Sequence, residues 1–127
     1  MEGDEMNKLL LFGAILGLIS VIMGALGDHA FALSSEQAES MDTAIRYNML
    51  YAILIVVLAL QPSEKKLFLA GFTFALGTSL FSFSIYAALI SGIAQFTYLT
   101  PIGGITIIFG WAFLIYVALK SKKIVIL

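Results

Sequence analysis

"LLLFGAILGLISVIMGALG", Leu9 to Gly27, is the stretch on which the fold turns. It carries no charged side chain and is rich in leucine, isoleucine and glycine. A hydrocarbon core of about 30 Å takes about 20 apolar residues in a helix, and this run has that length. Three more segments of the same kind follow. They are "AIRYNMLYAILIVVLALQ" (Ala44 to Gln61), "LFLAGFTFALGTSLFSFSIYAALI" (Leu67 to Ile90) and "PIGGITIIFGWAFLIYVAL" (Pro101 to Leu119). The one charged residue in all four is Arg46, near an end of its span.

Composition agrees. Hydrophobic residues make up 61% of the 127 and charged residues 12%, with a mean hydropathy of +1.02. A soluble domain carries roughly twice that charge, and a chain this short has too little interior to hide so much apolar surface. Lipid is the solvent for most of it. The expected architecture is a single all-α domain, an integral membrane four-helix bundle, with a polar loop over residues 28–43. The expected location is the cell membrane, crossed several times. A net charge of −1 offers no basic face for nucleic acid. With no cysteine, disulfides, thiolate metal sites and thiol catalysis are excluded.

The breaks between spans have their own chemistry. Gly27 can end the first helix in a left-handed cap. Ser34 with Gln37 three residues on resembles a capping box, so a helix is expected to start near Ser35 and run unbroken past Asp42 into the second span. "QPSEKK" turns the chain, because proline cannot continue the helical ladder. "SGIAQFTYLTP" is uncharged and aromatic, which suits the membrane interface. Lys8 and the apolar run ending in "ALG" have the outline of a secretory signal, but the acidic "EGDE" start is wrong for one.

The cations set the orientation. Lys8, Lys65, Lys66, Lys120, Lys122 and Lys123 all fall on one side of a four-span hairpin, and Arg46 alone falls on the other. That bias places both termini in the cytoplasm and residues 28–43 outside, and it is too uneven for dual topology.

Small residues mark the faces where helices approach closely, because association in lipid rests on packing rather than on hydrophobic drive. Gly13, Gly17, Ser20, Gly24 and Gly27 step by three and four along the first span. Gly71, Ala75, Thr78 and Ser82 do the same on the third, and Gly103, Gly104 and Gly110 lie on the fourth. These read as intramolecular seams in preference to a dimer face. Trp111 is too deep for an interfacial belt; it is expected to fill space opposite glycines, with its N–H bonded to a hydroxyl of the third span or to a carbonyl.

Polar residues concentrate in the outer half. Asp28, His29, Asp42, Arg46, Tyr47, Asn48, Tyr51, Ser82, Ser84, Tyr86, Thr100 and Thr106 share that level, whereas in the inner half Ile53 to Leu60 and Phe109 to Leu119 offer only Tyr116. An arginine near lipid needs a partner or water, and Asp42, one helical turn before Arg46, or Asp28 across the bundle, could supply it. The simplest reading is interhelical glue. Asp28, His29, Glu36 and Glu39 have acceptable ligand types for a metal but no recognised spacing, so no metal and no cofactor is expected.

Several motifs, in order, resemble a family. "GALGDHAF" (Gly24 to Phe31), "TAIRYNMLYA" (Thr43 to Ala52), "FSFSIY" (Phe81 to Tyr86) and "TPIGGITIIFGW" (Thr100 to Trp111) look like the small membrane proteins of domain of unknown function 423, related to the eukaryotic transmembrane protein 256 group. The resemblance covers nearly the whole chain. It departs at Asp28, Asn48, Tyr51 and Phe83, where the family commonly has other residues, so no two-histidine site carries over. It implies a four-helix membrane protein, common in bacteria, and no established activity.

Three functions compete. The first is a structural or accessory bundle that binds lipid or another membrane protein. The alternative is a small transporter or channel acting as an oligomer with an outward polar mouth, although no acid lies embedded below the outer rim. The third, an enzyme using Asp28 and His29, lacks a cofactor fingerprint or a convergent geometry, so no enzymatic activity is expected. The expected partners are the bilayer and either a second copy or another membrane protein.

Overall fold

A computed structural model describes residues 2–27, 31–62 and 64–120. Among these residues every regular element is helical. Helix α1 is Glu2–Gly27 and α2 is Ser35–Ala59. The third span is one continuous rod built from α3 (Lys65–Thr78), a π-helical turn (Ser79–Phe83) and α4 (Ser84–Ser91). A 3₁₀ segment, Ala94–Leu99, leads into α5, Thr100–Lys120. Four of these rods are long and apolar enough to cross a membrane.

Local chemistry explains most of the boundaries. The Ser34 hydroxyl accepts from the Gln37 N–H at 3.1 Å, and the Gln37 side chain accepts from the Ser34 N–H at 3.0 Å. This reciprocal pair satisfies two N–H groups that a helix start otherwise leaves unpaired. The left-handed glycine is Gly92, at φ 77°, where the third span ends. Gly27, expected to cap α1 in that conformation, is instead its last helical residue. Only a residue without Cβ adopts the Gly92 backbone at little cost.

The bundle is uneven. Helix α1 packs along α2, α2 along the third span, and α5 chiefly along the third span. The third span and α2 are therefore central, and α1 and α5 flank them. Their outward faces carry Leu11, Leu18, Ile105, Ile108 and Leu119, each more than half exposed. In water such a surface would be ruinous; against acyl chains it is neutral.

The core has two parts. Leu16, Tyr51, Ile55, Ala70, Phe74 and Ile107 fill the lower one, and Met41, Ala44, Ile85 and Tyr86 fill the upper one. The lysines Lys8, Lys65, Lys66 and Lys120 sit at the end where α1 and α3 begin and α5 finishes. The acidic face of α2, with Glu36, Glu39 and Asp42, is exposed at the other end.

The small-residue seams meet partners inside the chain. A Cβ on Gly13 would lie 2.9 Å from the Ile55 side chain, and one on Gly17 would lie 3.8 Å from Ala52. Gly24 faces Ile45 with room to spare, so the seam on α1 is tight only in its lower half. Gly71 is filled by Leu9, and Gly110 by the Phe74 ring. The tightest crossing is backbone on backbone. A Cβ on Gly103 would run into the Phe81 N and come within 2.6 Å of the Gly77 carbonyl oxygen, and a Cβ on Gly77 would lie 2.9 Å from the Ile107 N. Gly104 meets only Phe81, at 3.9 Å, an ordinary contact.

Candidate functional site: a polar layer between α2 and the third span

The third span presents Thr78, Ser82 and Tyr86, four residues apart, toward α2. On an α-helix of 3.6 residues per turn such a row drifts sideways. The wider turn at Ser79–Phe83 works against that drift and keeps the row aligned. The Ser82 hydroxyl donates to the Ala44 carbonyl at 2.8 Å, and Thr78 reaches the Tyr47 carbonyl at 3.4 Å. The Asn48 amide Nδ2 donates to the Tyr86 hydroxyl at 2.9 Å. All three residues of the row and Asn48 are buried.

A second line runs from the third span to α5. The Ser84 hydroxyl shares a hydrogen bond with Thr100 and also donates to the Phe81 carbonyl at 2.9 Å. Trp111 Nε1 donates to the Tyr51 hydroxyl at 2.7 Å. The expected partner of Trp111 was a hydroxyl of the third span or a carbonyl; the structure places it on α2 instead. The reason is geometric. Phe74 occupies the space in front of Gly110, its ring 5.2 Å from the indole, so the N–H passes over it to the next helix. Tyr51 in turn stacks on Phe74, with centroids 5.4 Å apart. Tyr47 stacks on Phe81 at 4.5 Å.

The remaining candidates do not join this layer. Asp42 and Arg46 are exposed on the surface of α2, and no ion pair within 4.0 Å joins them among the described residues. Thr106 bonds back to the Ile102 carbonyl at 2.8 Å. Asp28 and His29 lie outside the described residues, and with them half of the suggested metal set. Among the described residues no cluster of three His, Cys, Asp or Glu side chains could hold a metal.

Among the described residues two buried side-chain polar atoms have no partner: the Asn48 carbonyl oxygen and the Ser79 hydroxyl. Asn48 stands out in the sequence as a polar residue of the second span, whereas nothing in the spacing marks Ser79 or Gly77. Beside the layer, a lateral groove opens to lipid between α2 and α5, where Tyr47, Tyr51, Phe81 and Trp111 meet the Pro101 end of α5. What this arrangement can do chemically is hold helices together. Apart from that of Ser79, its serine and threonine hydroxyls are engaged with neighbouring helices or their own backbone, and among the described residues no carboxylate, histidine or lysine stands among them.

Comparison with known proteins bears on identity and little on chemistry. Residues 23–104 match the family model described as protein of unknown function (DUF423). The chain is similar to the UPF0382 inner membrane protein YgdD of Escherichia coli strain K12, at 30% identity over 91% of this chain and 92% of that one. It is similar to a UPF0382 membrane protein of Haemophilus influenzae, at 31% identity over 93% and 98%, and to the UPF0382 membrane protein YwdK of Bacillus subtilis, at 27% identity over 91% and 98%. No solved structure matches the chain.

Proposed function

The chain belongs to the DUF423 family of multi-pass membrane proteins, and from that premise we propose that it is a structural or accessory bundle without catalytic chemistry. One observation carries the reading. The buried hydroxyls of the polar layer, Thr78, Ser82, Ser84 and Tyr86, bond across the bundle to Tyr47, Ala44, Thr100 and Asn48. A pore or an active site would hold such groups open to water or substrate; here they tie α2, the third span and α5 together. In this reading both termini are cytoplasmic, the acidic turns of α2 face outward, and the protein acts through its sides, on lipid, a second copy or another membrane protein.

The test is solute flux in proteoliposomes alongside chemical cross-linking in native membranes. The accessory reading expects no ion or small-solute flux above protein-free vesicles, with a defined cross-linked species. Flux that disappears in Arg46→Ala would replace it with the transporter reading. That second reading draws on the Asn48 oxygen, buried without a donor beside the π-helical turn, since such turns recur at functional sites.

A further inference from the structure

We propose that the groove between α1 and the third span binds one anionic phospholipid, an acyl chain along its floor and the phosphate at Lys8. The groove holds ≈ 370 Å³ and is walled by Phe12 of α1 and by Phe68, Phe72 and Leu76 of the third span. Only two polar residues line it, Lys8 at one end and Ser79 at the other.

Length and charge choose the occupant. Phe68 and Ser79 are eleven residues apart, which at 1.5 Å per residue is about 16 Å. That is one leaflet of a hydrocarbon core about 30 Å thick. The groove therefore starts at the interface, where Lys8 is exposed, and ends near the midplane. A chain that fills it brings its headgroup to the level of the ammonium. Basic positions between membrane helices favour anionic headgroups. A zwitterionic lipid fits the same floor, but its own cation competes with Lys8. Glu5, Glu64 and Lys65 line a neighbouring hollow, not this groove, and Lys66 lines neither. The proposal goes beyond the accessory role and stands or falls apart from it.

The experiment is native mass spectrometry of the full chain in mild detergent, with phosphatidylglycerol and phosphatidylcholine of identical acyl chains. One phosphatidylglycerol is expected to be retained in preference. Lys8→Ala should weaken that retention about fivefold, the effect of one basic residue near anionic lipid, and Lys66→Ala should not. Ala75→Phe, which fills the floor, should expel both lipids; Leu76→Phe, at a lipid-exposed position, does the same without entering the core. Equal retention of the two lipids, equal effects of Lys8→Ala and Lys66→Ala, or lipid retained in both filled variants would overturn the proposal and leave only annular lipid.

Discussion

Trp111 of α5 donates its indole N–H to the Tyr51 hydroxyl of α2 at 2.7 Å, across the aromatic edge of Phe74. It is a direct polar tie between two helices that otherwise touch little. Trp111 is also the only tryptophan, so its fluorescence reports this bond alone. Tyr51→Phe should shift the emission maximum to the blue, because an apolar ring replaces the acceptor. The stability loss should be modest, about 0.6 kcal/mol and at most about 1.7, the range measured for hydrogen bonds between membrane helices. An unchanged spectrum would mean that the indole is bonded elsewhere.

Gly103 and Gly104 are neighbours with opposite prospects. Gly103→Ala must push α5 off the third span, because its methyl meets backbone atoms that cannot rotate away. Overpacking of this kind costs about 1–3 kcal/mol, and unfolding in mixed micelles should show it. Gly77→Ala, on the facing surface, should behave alike. Gly104→Ala meets only the Phe81 ring at 3.9 Å and should be neutral or slightly stabilising, since alanine favours a helix more than glycine does.

The Asn48–Tyr86 pair should show the asymmetry of buried hydrogen bonds. Tyr86→Phe leaves the whole Asn48 amide buried without a partner and should cost about 1–3 kcal/mol. Asn48→Leu alone strands the Tyr86 hydroxyl at a similar cost. The double variant removes both polar groups and should recover much of the loss. Unfolding free energies of the four proteins form a cycle, and strict additivity would show that the two side chains do not interact.

Orientation is open to direct labelling, because the chain has no cysteine. Single replacements Glu39→Cys, Lys66→Cys and Lys120→Cys mark the two ends of the bundle. An impermeant thiol reagent added to intact cells should modify Glu39→Cys and spare the other two until the membrane is opened. Modification of Lys120→Cys from outside would reverse the proposed topology.

The four rods were legible because span length and the lack of internal charge are one-dimensional properties. So was the start of α2, since Ser34 and Gln37 act within four residues of each other. The crossing of Gly77 over Gly103 was not legible. Gly71, Ala75 and Thr78 read as the seam, and Gly77 falls outside that three-and-four pattern, so only the rotational phase of α5 reveals it. Gly104 reads as a packing residue equal to Gly103, and the same phase leaves it an ordinary contact with the Phe81 ring in place of a tight one. The π-helical turn leaves no mark in "SLFSF" that composition or spacing detects. The partner of Trp111 depended on where Phe74 lay, a relation between residues of different spans.

Helix α2 begins at Ser35, exposed, and reaches Asn48 without a break. Its opening turns show Glu36, Glu39 and Asp42 on one face while Met41 and Ala44 are buried on the other, so a single unbroken rod joins the exposed carboxylates to the amide that holds Tyr86.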